Sequence, residues 1–244
     1  HGKREYYDDI YLIADREDIF VLETYGKKYH YERIDKHASI SNISFKFNDG
    51  SFDPRTRMIY TYLGMGSRRV SKSAKFISSE SKRGLTDIMS FLRSHKSDDF
   101  DPSKCKNEDI CMHHSGLTRP FQTANSMITV TSKDSLEGWF TFSPNPCMSL
   151  YKPVKICGSS SLGISYDFNY WNHMNEIHRK LDRIDAKNFR RIEEMIGKYQ
   201  NEIVQEWNLK GKSSPESAVQ RAAIIDSYMV QFKETMANNI RSYS

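Results

Sequence analysis

Trp139-Phe140-Thr141-Phe142-Ser143-Pro144-Asn145-Pro146-Cys147-Met148-Ser149-Leu150-Tyr151-Lys152-Pro153-Val154 is the stretch whose reading decides the fold. Apolar and aromatic residues fill both of its ends, and Ser143-Pro144-Asn145-Pro146 interrupts them with turn formers. That pattern predicts strands over 138–142 and 148–156, joined by a turn. A third strand-like run lies just upstream, over 126–131.

Further toward the N-terminus the chain repeats the theme. Ile10-Tyr11-Leu12-Ile13-Ala14 is an apolar run, Asp15-Arg16-Glu17-Asp18 a polar turn, and Ile19-Phe20-Val21-Leu22-Glu23-Thr24 a second run. Gly26 turns the chain toward a third over 29–34, which reads as an antiparallel meander. The runs are nearly continuous rather than alternating, so strands covered on both faces are expected. Between the two strand-rich regions, Asp53-Pro54 opens a helix-like stretch with Pro in the first turn. Residues 86–94 read as helix, with Ile88, Met89, Phe91 and Leu92 as the apolar set. Residues 96–122 read as a polar loop.

Toward the C-terminus the period changes. Trp171, Met174, Ile177, Leu181, Ile184, Phe189, Ile192, Met195, Tyr199, Ile203 and Trp207 recur at mostly three- and four-residue steps. Ala218, Ala222, Ile225, Met229, Phe232, Met236 and Ile240 form a second stripe. Gly211-Lys212-Ser213-Ser214-Pro215 separates them, with Ser214 as N-cap and Pro215 at the first helical position. Two helices, 170–207 and 215–240, are expected to pack antiparallel.

The 244 residues carry 36 Lys and Arg against 31 Asp and Glu, a net charge of +5. The excess is spread along the chain, so no nucleic-acid partner is expected. No apolar run reaches the length of a membrane span, and no apolar leader is visible, so no membrane is expected and the compartment reads as cytoplasmic. Aromatic residues at 12% favour a packed core over disorder. The four cysteines, Cys105, Cys111, Cys147 and Cys157, read as free thiols in a reducing compartment. Cys105, Cys111, His113 and His114 match no common zinc spacing, so no metal and no cofactor are expected. No phosphate-binding glycine loop and no Gly-x-Ser-x-Gly elbow is present.

A longer pattern remains. Ile110-Cys111-Met112-His113, Gln122-Thr123-Ala124-Asn125-Ser126-Met127 and the stretch from Trp139 to Val154 resemble, in order, the secernin-like dipeptidase family of cysteine N-terminal-nucleophile (Ntn) hydrolases. Members read close to W-F-T-G-T-x-x-P-C-x-S-V-F-K-P at the last of these. Tyr11-Leu12-Ile13-Ala14-Asp15 with Val21-Leu22-Glu23-Thr24-Tyr25-Gly26, Ile40-Ser41-Asn42, and Tyr170-Trp171 with Glu176-Ile177-His178-Arg179 resemble further family elements. Phe142 departs from the family, which usually has Gly there.

The resemblance implies an α+β fold, the Ntn αββα four-layer sandwich, incomplete in this chain. Residues 1–165 would form the C-terminal portion of that domain, and 166–244 a helical extension packed on it. It implies hydrolysis of a short peptide or amide by an N-terminal Cys whose own α-amine is the base. By motif position, Asn42 would be the oxyanion donor and Arg68 would tune the nucleophile's surroundings, with Arg69 as rival. The family's N-terminal half, which carries the nucleophile, has no counterpart here, so a companion segment or chain is expected to supply it. An acyltransferase of the same fold, a non-catalytic binding or regulatory relative, and assembly as a homo-oligomer stay open.

Overall fold

Residues 9–15, 17–25, 28–41, 65–79, 83–96, 107–114, 121–131, 136–157, 160–162, 168–181, 184–209 and 215–243 are described by the computed structural model. They form two small antiparallel sheets and five α-helices, a mixed α and β architecture. The chain groups into two units, 1–82 and 83–244. Both the sheet and the helices on either side of the expected 165/166 boundary belong to the second.

In the first unit, β1 (Asp9–Ala14), β2 (Ile19–Tyr25) and β3 (Lys28–Arg33) form the expected meander, with β2 central. The register pairs Leu12 with Val21 and Leu22 with Tyr31. The Asp15 carboxylate closes the first turn by accepting from the Glu17 and Asp18 amides, both at 2.8 Å, the local bond that makes Asp a turn former. Val21 and Glu23 are buried on β2. Coverage of both faces does not extend to β1: Tyr11, Leu12 and Ile13 are 47, 50 and 52% exposed. Among the described residues β1 pairs with β2 alone, so its apolar run is not evidence of a central position. α1 (Gly66–Ser78) belongs to the same unit. Ser73 hydrogen-bonds Ser39, and the Arg69 Nε donates to the Ser41 Oγ at 3.3 Å, tying α1 to residues 39–41. The helix expected from Asp53-Pro54 lies outside the described residues.

The second unit opens with α2 (Leu85–Leu92), whose Asp87 carboxylate accepts from the Gly84 amide at 2.7 Å. A sheet of order β4-β5-β6-β7 follows, from β4 (Met127–Thr131), β5 (Leu136–Phe140), β6 (Lys152–Cys157) and β7 (Ser160–Leu162). The strand expected over 148–156 starts later, because Pro146–Met148 forms a 3-10 turn. Pro153 falls in the part of β6 that β7 does not reach, where a missing amide proton is tolerated.

The first C-terminal stripe divides into α3 (Phe168–Leu181) and α4 (Ala186–Leu209). The sequence carries the cause: the step from Ile184 to Phe189 breaks the period, and Asp185 caps α4 by accepting from the Asn188 amide at 2.8 Å. α4 and α5 (Pro215–Tyr243) are antiparallel, as expected. Tyr199 meets Phe232 edge-on at 5.9 Å, while Met195, one turn earlier, meets Asn239 further along α5. Trp139, Leu150, Tyr151, Met174, Phe189, Ile192, Ile203, Phe232 and Met236 share the core of this unit. Each such burial is worth about 1.5–3 kcal/mol.

Candidate functional site

The stretch from Thr141 to Tyr151 is buried almost throughout, and a buried backbone needs partners. Its own side chains supply many. The Thr141 hydroxyl accepts from the Ser126 amide at 3.0 Å and donates to the Asn125 Oδ1 at 2.8 Å. The Ser149 hydroxyl accepts from the Ser143 hydroxyl at 2.7 Å and donates to the Pro144 carbonyl at 2.8 Å. Arg93, at the C-terminus of α2, donates from Nε to the Pro146 carbonyl at 3.1 Å and from Nη2 to the Ser149 carbonyl at 2.8 Å. Its guanidinium lies over the Tyr151 ring, 4.9 Å from the centroid. His178 on α3 meets the Met148 carbonyl at 3.0 Å through Nε2. The motif residues are therefore the frame of a rigid turn, and Cys147 rides on that turn.

Two further segments converge on Cys147. His95 follows α2, and Cys111 and His113 lie in the loop of residues 107–114. The Cys111 amide donates to the Ser94 carbonyl at 3.2 Å, and the Lys96 amide to the Asp109 carboxylate at 2.5 Å, which fastens loop to helix end. The Thr123 amide donates to the Met112 carbonyl at 2.9 Å and the Asn145 amide to the Thr123 carbonyl at 2.8 Å, which fastens both to the turn. The result is a cluster of His95, Cys111, His113 and Cys147, whose ring nitrogens and sulfurs all lie within 4.8 Å of one another. The His113 Nε2 is 3.0 Å from the Cys147 Sγ, 3.4 Å from the His95 Nε2 and 3.8 Å from the Cys111 Sγ.

Cys111, His113 and Cys147 are 0, 1 and 2% exposed, and both cysteines are free thiols. Burial alone pushes the Cys111 thiol up, but hydrogen bonds with Cys147, His113 and His95 outweigh it and hold the thiol well below its ordinary range. A Cys beside a His is also the core of a cysteine hydrolase. Such a nucleophile must meet substrate, and neither sulfur reaches the surface.

The sequence-based site residues, Asn42 and Arg68, are not among the four residues of this cluster. Asn42 lies outside the described residues, as does Cys105. Arg68 is on the first turn of α1 and is exposed, whereas Arg69 is half-buried and bonded to Ser41, the neighbour of Asn42. The Arg69 contact is therefore to a residue of the Ile-Ser-Asn element. Of the four residues weighed for zinc, Cys111 and His113 belong to the cluster and His114 is exposed. His95 and Cys147 were missed because they are remote in sequence. The one local signal was the pair Cys111-Met112-His113, half of a ligand set. Asn145 is a second missed feature: its side chain is wholly buried, and neither end of its amide has a hydrogen-bond partner among the described residues. Among the described residues, no helix is long and apolar enough to cross a membrane. No protein-family model and no solved structure matches the chain.

Proposed function

We propose that the chain is the C-terminal portion of a cysteine Ntn hydrolase of the secernin-like dipeptidase type, which cleaves the amide bond of short peptides or related amides. A companion segment or chain brings the nucleophile. Its N-terminal Cys thiol gives its proton to the adjacent α-amine, whose ordinary pKa of about 8 suits that task. The sulfur forms a bond to the carbonyl carbon, and the side-chain amide of Asn42 donates to the oxyanion. The C–N bond then breaks, the amine leaves with the proton, and water releases the acyl group from sulfur. Arg68 or its neighbour Arg69 lies beside this chemistry, and Arg69 has the contact to Ser41 that favours it.

The observation that carries the reading is the ordered set of family-like motifs, from Tyr11 to Arg179. Two structural facts support it. The best-matched motif is the buried, hydrogen-bonded turn around Cys147, which explains why its residue types would be held together without being the nucleophile. Each sheet also ends in an edge strand with exposed apolar side chains, Leu12 and Ile13 on β1 and Met127 and Val130 on β4. Among the described residues these edges are unpaired, and exposed apolar edges suit pairing with further structure.

The test is an assay of the 244-residue chain on a dipeptide panel, alone and then with a companion half that begins with Cys. Turnover only in the second case, depressed about 10²–10³-fold in kcat by Asn42→Ala, supports the reading. Turnover by the chain alone, lost on Cys111→Ala, would overturn it.

A further inference from the structure

We infer that His95, Cys111, His113 and Cys147 bind one Zn2+ ion in a closed, structural site. The site is independent of the amide-hydrolase reading, since no reacting group belongs to it.

Geometry is the first ground. In a tetrahedral site with Zn–N of about 2.0–2.1 Å and Zn–S of about 2.3 Å, neighbouring ligand atoms lie about 3.3–3.8 Å apart. From the His113 Nε2, the His95 Nε2 at 3.4 Å and the Cys111 Sγ at 3.8 Å match that range, the Cys147 Sγ at 3.0 Å lies just inside it, and all four atoms fall within 4.8 Å of one another, so shifts of an ångström or less close them on an ion. The four share hydrogen bonds, Cys111 with Cys147, His113 and His95 among them, but three of the close contacts meet at one atom, the His113 Nε2. A neutral imidazole nitrogen carries either one proton or one lone pair. The His113 Nε2 can therefore satisfy one of its three neighbours at a time, whereas a central cation satisfies all four atoms together.

Ligand chemistry is the second. Two thiolates and two imidazoles are a set that selects zinc over hard cations. Both thiols lose their protons to solvent on binding. The two thiolates cancel the charge of the ion, so the filled site adds no net charge to a buried region. Four protein ligands leave no open position, which marks a structural rather than a catalytic centre. Preorganisation is the third. The three segments are already tied by backbone hydrogen bonds from Cys111 to Ser94, Thr123 to Met112 and Asn145 to Thr123. The ion would staple the end of α2, the 107–114 loop and the 3-10 turn at one point.

The test loads the full chain with Zn2+ or Co2+ under reducing conditions and removes excess by gel filtration. Elemental analysis should find close to one Zn2+ per chain. The Co2+ form should show the intense visible bands of tetrahedral cobalt and a thiolate-to-cobalt charge-transfer band in the near ultraviolet. His95→Ala removes the least buried ligand, and Cys147→Ser removes a sulfur. Each should weaken Zn2+ at least about tenfold in competition with a chromophoric chelator, the scale on which even outer-shell partners are felt. His114→Ala, an exposed neighbour, should bind as the parent does. Three results would overturn the site: no retained metal in the folded parent chain, a weak octahedral cobalt spectrum, or a Cys111–Cys147 disulfide in peptide maps of reduced, zinc-treated protein. The first three measurements use the unaltered chain, so a variant that fails to fold does not decide the matter.

Discussion

Gln200 on α4 grips the backbone of Tyr151 from both sides. The Tyr151 amide donates to the Gln200 Oε1 at 2.8 Å, and the Gln200 Nε2 donates to the Tyr151 carbonyl at 3.1 Å. A side-chain amide thus stands in for a neighbouring strand at the entry to β6. The same Oε1 accepts from the Arg93 Nη2 at 2.8 Å, so one residue joins α2, α4 and the buried turn.

Gln200→Leu keeps the volume but leaves both Tyr151 backbone groups and one Arg93 donor without this partner. Each orphaned buried group costs about 1–3 kcal/mol, so with three groups affected the variant should lose about 3 kcal/mol or more in urea denaturation. A loss under about 1 kcal/mol would mean that water replaces the amide.

Phe142 has φ of 49°, the left-handed region that a side chain adopts at a cost, and its ring stacks on Phe140 at 5.4 Å. The family-like pattern has Gly at this position, and the backbone keeps the conformation Gly would favour. Phe142→Gly should therefore stay within about 1 kcal/mol of the parent, as strain relief offsets the lost stacking and the added freedom of the unfolded chain. Phe142→Val, β-branched, should cost about 1–2 kcal/mol or more. Equal stability of the two variants would argue against a left-handed residue 142.

His178 takes up a proton only at a pH of about 3, chiefly because of its burial, with His113 adding to the effect and the bond to the Met148 carbonyl opposing it. An unfolded chain protonates the same ring near pH 6.5, roughly the ordinary histidine value. Between those limits the unfolded state binds the proton and the folded state does not. Stability is therefore full above the upper limit and falls as pH drops, by up to about 1.4 kcal/mol per unit. His178→Gln should flatten that part of the profile. Parallel denaturation profiles of parent and variant from pH 7 to pH 5 would remove His178 from the account.

Ile192 and Phe232 are buried on α4 and α5. Replacing either with Asp should destabilise by several kcal/mol, about 3–5, since a buried carboxylate there meets an apolar core. Val230 lies on the same α5 but is half exposed, and Val230→Asp should stay within about 0.5 kcal/mol. Asp185→Ala should cost about 1 kcal/mol through the lost cap of α4. Thermal melts of the four variants separate these classes.

Local pattern determined much of the secondary structure. The β1–β3 meander, α2 and the start of α5 at Pro215 were legible because short-range turn chemistry and apolar period control them. The α3–α4 break was not read: one helix over 170–207 was expected, because the stripe continues through Ile184 and the five-residue step to Phe189, with the cap at Asp185, is a weak local signal. What no local pattern carried was pairing across distance. The exposure of Tyr11, Leu12 and Ile13 depends on which strands β1 pairs with, β2 alone among the described residues, and its composition does not reveal that. The union of His95, Cys111, His113 and Cys147 depends on three segments meeting through hydrogen bonds between residues remote in the chain. Ligand geometry is a property of distances in space, and sequence spacing reports it only when the ligands share one turn or loop.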